Sequence, residues 1–156
     1  MKSVELSLTI NAPIDIVLRE ISEYIHPPIL HKGRIISVRV LEDDGNVSTA
    51  VWRIKVLGFV RQVKQRQIVT PPDKMTNETI DGFAKGTLES TFLYGNGDAT
   101  RIDDRIDVRV PGWGRPLEGL VAWYTKRLTW SILLDHKRDL ESRYRQPQGS
   151  DVEGRT

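Results

Sequence analysis

The sequence predicts an α+β domain, a curved seven-stranded antiparallel sheet with its helices on one face. Three observations predict it. One alternating run opens the chain, six strand-like runs follow in succession between Arg34 and Val110, and one long helical stretch closes it. Turn signals rather than helices separate the six runs, so they read as one antiparallel meander. Such a sheet buries its apolar face under helices.

The elements follow in order. In "SVELSLTI", Val4, Leu6, Leu8 and Ile10 share one face and Glu5, Ser7 and Thr9 the other, the period of a half-buried strand. "NAPIDIVLREISEY" then changes period: Asn11 suits a cap, Pro13 a first turn, and Ile14, Val17, Leu18 and Ile21 recur at helical spacing. Pro27 and Pro28 stop this helix near Ile25, and "ILHKG" predicts a second short helical turn ending at Gly33. The strands "RIISVRVLE", "VSTAVWRIKV", "FVRQVKQRQIV", "KMTNETID", "GTLESTFLY" and "ATRIDDRIDVRV" follow. Their punctuation is "DDGN", a tight turn at Leu57-Gly58, the break "TPPD" and the Asn-Gly hairpin "GNGD". In the last strand Arg101, Asp103, Arg105, Asp107 and Arg109 form a solvated face. Ile102, Ile106, Val108 and Val110 face inward, and Asp104 shares their parity.

"RVPGWGRPLEGL" turns from sheet to helix: Gly112 and Gly114 permit the reversal and Pro116 sets the helix start. The helix from Leu117 to Tyr144 reaches roughly 40 Å at about 1.5 Å per residue, enough to cross the concave face of the sheet. Leu117, Leu120, Val121, Tyr124, Leu128 and Ile132 form its apolar stripe, with Trp123, Trp130 and Leu134 on the flank. Glu118, Lys126, Thr129 and His136 occupy the other, solvated side. Residues 1–144 are thus one domain, and the polar stretch 145–156 reads as a flexible tail.

Composition narrows the function. The start alternates instead of forming a continuous apolar segment, and no apolar run is long enough to span a bilayer, so a cytoplasmic protein is expected, with at most transient membrane contact. With no cysteine, thiolate catalysis and cysteine-ligated zinc are excluded. Net charge is +2, too balanced to imply a polyanion partner. The basic hairpin from Arg53 to Arg66, with Trp52 and Phe59, reads as a solvated outer face in preference to a nucleic-acid surface.

Three stretches carry a family resemblance. "VELSLTINAPIDIVLREISEY" looks like the opening strand, Ala-Pro turn and first helix of the START-like superfamily, also called SRPBCC or helix-grip. "GRIISVRVLEDDGN" resembles its second strand and hairpin, and "VPGWGRPLEGLVAWYTKRLTWSILLDHKRDLESRY" its closing loop and helix, most like the polyketide cyclase/dehydrase or coenzyme Q-binding-like branch. One departure is "YIHPPILHKG", where many relatives place an aromatic residue. The resemblance implies a helix-grip fold that binds a lipid, quinone or polyketide-like molecule in a cavity between sheet and helix. It carries no universal catalytic residue, so the chemistry must come from the site itself.

The expected ligand-binding residues are Trp52, Phe92, Tyr94, Leu120, Tyr124 and Leu128 as walls, with Asp104 and Tyr94 as polar handles. Trp113 stands at one mouth of the cavity, as a plug or a movable lid. A carboxylate among Ile102, Ile106 and Val108 must be paired, protonated or wet, and Lys64 or Arg66 is its expected partner. If the protein is an enzyme, a cyclase or dehydratase, Asp104 is its acid/base. No metal is expected: His26 and His31 lack a zinc spacing, and His136 falls on the polar side of the helix. No cofactor is expected either, since "YGNGDAT" joins two strands, not a strand and a helix. The Trp123 and Trp130 flank reads as core, with a dimer or partner contact as the alternative, so a monomer and a homodimer both stay open.

Overall fold

A computed structural model describes residues 1–24 and 31–145. The expected stop at Ile25, His26 and the tail beyond Arg145 lie outside the described residues. The chain runs through strand β1 (Lys2–Ile10), helix α1 (Ile14–Ser22) and six strands, β2 (Ile35–Asp43), β3 (Val47–Val56), β4 (Phe59–Thr70), β5 (Lys74–Gly82), β6 (Leu88–Asn96) and β7 (Ala99–Val108). A 3₁₀ turn (Gly112–Leu117) then leads into helix α2 (Glu118–Arg145).

All seven strands form one antiparallel sheet in the order β1-β7-β6-β5-β4-β3-β2. The turns behave as their residues require. Leu57 and Gly58 have φ of 50° and 84°, the paired positive values of a tight hairpin. The Asn-Gly turn sets Asn96 opposite Ala99 and so fixes the β6–β7 register. The β2–β3 ladder skips Ile36 and Leu41, and β4–β5 skips Ile80. Such bulges bend and twist the strands that carry them.

Two local expectations are corrected. Among the described residues one short helix follows β1, and residues 31–34, the described part of the expected second helical turn, form a turn whose Ile35 N–H donates to the His31 carbonyl. Asn11 does not cap α1: Pro13 holds the N-cap position, and the Asn11 N–H donates to Glu141 on α2 at 3.1 Å. Pro13 has no N–H of its own to satisfy, and its fixed φ suits the entry to a helix.

Two apolar clusters pack between sheet and helices. One joins Ile10, Val17, Leu18, Met75, Leu93, Ile102, Leu133 and Leu140 beneath α1 and the end of α2. The other joins Val4, Ile106, Val108, Val110, Val121 and Ala122 beneath the start of α2. The space between them is a cavity.

Candidate functional site

The cavity has a volume of about 250 Å³ and is bounded by β2–β7 on one side and by α2 on the other. Its helix side sets apolar Val121, Leu128, Ile132 and Leu133 beside Thr125, Thr129 and His136. Its sheet side joins apolar Ile54, Val63, Met75 and Ile106 to a polar band. Gln65 and Gln67 of β4, Asn77 and Thr79 of β5, Glu89 and Thr91 of β6 and Asp104 of β7 all line it. Period-two alternation places these residues in a band across the middle of the sheet, where a fully packed core would require apolar ones.

The band is cross-linked. Gln65 donates to the Thr79 hydroxyl at 3.4 Å, Asn77 to Glu89 at 3.0 Å and Thr91 to Asp104 at 3.0 Å, while Gln67 donates to the Ser22 carbonyl at 3.0 Å. Asp104 is 3% exposed. Burial, then the neighbouring Glu89 carboxylate, pushes its carboxyl up to about 9, against a smaller opposing effect of the Thr91 hydroxyl. Asp104 is therefore a neutral acid at physiological pH, able to donate a hydrogen bond or a proton. The expected cationic partner is absent: Lys64 and Arg66 stand on the other parity from Val63, Gln65 and Gln67, and Arg66 pairs with Glu78 at 2.6 Å on the outer face.

Four of the eight expected ligand-binding residues come together. Trp52, Asp104, Tyr124 and Leu128 line the cavity. The Tyr124 hydroxyl donates to the Lys55 carbonyl at 2.8 Å, and the Trp52 ring lies 5.7 Å from that of Tyr24. The other four face away. Tyr94 pairs across the ladder with Arg101 and Phe92 with Asp103, so both share the outer, charged face of β7. There Arg101 covers the Tyr94 ring at 4.6 Å and Lys74 the Phe92 ring at 5.4 Å, giving these aromatics cationic partners instead of cavity contacts. Leu120 is 47% exposed because the inward arc of α2 is centred on Val121, Thr125, Thr129 and His136, about one residue around the wheel from the expected stripe. Trp113, at 91% exposure, neither plugs nor covers the cavity: the 3₁₀ turn holds it outward, and buried Gly114 meets Val110 instead.

Two further placements are corrected. Trp123 and Trp130 are exposed rather than core, with the Arg127 guanidinium 5.1 Å from the Trp123 ring. His136 is buried, not solvated, and faces His31 on the cavity wall. Glu89 and this histidine pair escaped the sequence reading. Glu89 was accessible to it: outward Arg101 with the Asn-Gly register forces Tyr94 and Phe92 outward and Glu89 and Thr91 inward. No sequence signal joined His31 to His136, which are 105 residues apart.

No protein-family model matches the sequence, and no curated protein matches it. Solved structures do. The chain is similar to the Zhui aromatase/cyclase from Streptomyces sp. R1128, with a TM-score of 0.84 at 14% identity over 95% of this chain and 98% of that one. It is similar to a START superfamily protein from Mycobacterium smegmatis, with a TM-score of 0.66 at 18% identity over 90% and 95%. It is also similar to norcoclaurine synthase from Thalictrum flavum, solved with dopamine and hydroxybenzaldehyde, with a TM-score of 0.69 at 18% identity over 90% and 87%. The chain shares the helix-grip fold of these structures, as the sequence resemblance implied. At these identities the likeness defines the architecture, and the chemistry rests on the cavity.

Proposed function

We propose that the protein binds a hydrophobic or amphipathic small molecule, such as a lipid, quinone or polyketide, between the sheet and α2, as a carrier or a sensor. One observation carries this reading: the cavity sets an apolar roof, shared by helix and sheet, beside a hydrogen-bonded polar floor. The roof contributes affinity by burial, at about 25 cal/mol per Å² before the costs of binding. The floor fixes orientation through a few placed polar groups, with Asp104 as donor. Among the described residues no helix is long and apolar enough to cross a membrane. Native mass spectrometry of the purified protein, followed by solvent extraction, tests the reading. A reproducible bound compound from the expected classes supports it. No bound compound, together with no uptake from a panel of lipids, quinones and polyketides, sinks it.

The neutral carboxyl of Asp104 on the cavity wall favours a second reading, a cyclase or dehydratase with Asp104 as proton donor. Asp104→Asn separates the two. A carrier keeps its affinity within a few-fold, whereas an enzyme loses turnover with binding largely intact. The exposed stripe of Leu120, Trp123 and Trp130 supports contact with a partner as a third use. Sedimentation across a concentration series tests it, with association abolished by Trp123→Ala combined with Trp130→Ala.

A further inference from the structure

The cavity has a second polar pole, at the opposite wall from Asp104 in the fold: His31 before β2 and His136 on α2. Both are buried and both line the cavity. Their rings meet edge to face, with centroids 4.7 Å apart and the two Nε2 atoms at 3.1 Å. Each Nδ1 faces a carboxylate. His31 Nδ1 lies 3.1 Å from Asp135 Oδ2, and His136 Nδ1 lies 3.5 Å from Glu20 Oε1. His136 Nδ1 and Glu20 Oε1 are both buried without a hydrogen bond, and each is the other's ion-pair contact.

Counting protons defines the state of this chain. Asp135, His31, His136 and Glu20 make three successive contacts, and each contact needs one proton between its atoms. Two neutral imidazoles supply only two protons. Any choice of tautomers then leaves one contact with lone pair facing lone pair, buried, which is costly. The carboxylates cannot supply the third proton. Glu20 is held down at about 2, first by His136 and then, against the cost of burial, by Asp139 and Arg143, and Asp135 is engaged by the Arg34 guanidinium. The charged neighbours agree. The carboxylates in the two ion-pair clusters are Glu20 on α1 and Asp135 and Asp139 on α2, and the guanidinium groups are Arg34 and Arg143. Three negative charges against two positive ones leave room for one imidazolium. His136 fits that role, between Glu20 and the Nε2 lone pair of His31, whose own basicity is lowered first by burial.

We propose that His31 and His136 form a buried imidazole–imidazolium pair joined by one shared proton, and that this pair is a second binding pole of the cavity, specific for a ligand hydroxyl. The inference rests on the cavity-binding reading. A hydroxyl can replace the contact between the two Nε2 atoms without loss, accepting from His136 and donating to His31. A carboxylate would meet the lone pair of His31, an ammonium would meet the proton of His136, and an ether would leave His31 without a donor. The ligand class is therefore an apolar body carrying an alcohol, phenol, enol or undissociated acid.

Calorimetry with β-naphthol and its methyl ether tests this on the full chain. The naphthol binds about tenfold or more tighter than the ether, the size expected of a hydrogen bond to a charged group. The preference survives Phe92→Ala, on the outer face of the sheet, and shrinks to within about twofold in His136→Gln and in His31→Gln. Equal binding of naphthol and ether to the unaltered protein overturns the inference and leaves the cavity reading standing. Failure of both to bind overturns the inference, and the compound panel then decides the cavity reading separately. Imidazole nitrogen NMR of the unaltered protein near neutral pH needs no variant to fold. It shows one ring protonated on both nitrogens and one carrying only the Nδ1 proton. Two neutral rings, or zinc carried by the pair in the purified protein, overturn the proposal.

Discussion

Asp104 shows how a single side chain makes stability depend on pH. The folded protein keeps its proton up to about 9, whereas an unfolded aspartate releases it near 3.8. Between those values the folded state binds more protons, so this residue makes stability fall as pH rises. Asp104→Asn has no proton to lose. Thermal unfolding curves of the two forms should converge below 3.8 and separate toward 9, with the asparagine form the more stable. An unchanged difference across that range would remove the buried-acid assignment. Gly82 is a second residue with a local consequence. Its φ is +93°, and an added Cβ would lie 2.4 Å from the Gln62 carbonyl. Gly82→Ala therefore combines backbone strain with a clash and should cost about 2 kcal/mol or more in chemical denaturation. Asp104 was legible in the sequence because it breaks an apolar parity. Gly82 was not, because its φ belongs to a sheet register that no run of residues specifies.

At the scale of elements, the strands were legible and the inward face of β6 was not. Period-two runs with Gly and Asn-Gly turns mark all seven strands, since turn chemistry and alternation are local properties. Which face of β6 turns inward is a property of pairing. Apolar Phe92 and Tyr94 outweigh Glu89 and Thr91 on hydropathy, yet the ladder sets them opposite Asp103 and Arg101. Helix α2 misleads for the same reason. It turns Val121, Tyr124, Leu128 and Ile132 of its apolar stripe toward the cavity together with Thr125, Thr129 and His136, and leaves Leu117 and Leu120 exposed, so the buried arc is rotated from the stripe and shares part of it. Alanine substitutions check this orientation. Leu133→Ala should cost about 2–4 kcal/mol, as expected for a well-packed core leucine. Leu120→Ala should cost under about 0.5 kcal/mol, as expected at an exposed position. Ligand affinity should be indifferent to Phe92→Ala and Tyr94→Ala and should fall with Leu128→Ala.

The whole molecule joins these faces into one vessel. Trp52 lines the cavity while Trp113, Trp123 and Trp130 are exposed, so emission changes on filling should come from Trp52. A Trp52→Phe variant should bind with a silent fluorescence signal, and a persistent signal would place the ligand elsewhere. The architecture was legible because element order, hairpin spacing and helix length together admit few topologies. The cavity's polar lining was not, because Gln65, Asn77, Glu89 and Asp104 lie on four strands that only the sheet order brings side by side.

The two apolar clusters on either side of the cavity give the protein a divided interior. Whatever occupies the gap becomes the missing middle of the core, so binding and folding draw on the same contacts. Occupancy at a hundredfold excess over Kd would add about 2.7 kcal/mol of stability. An empty molecule would open more often and meet proteases more often than a filled one. The lifetime of the chain would then follow the supply of its ligand, and abundance itself would serve as a record of how much of that ligand is present.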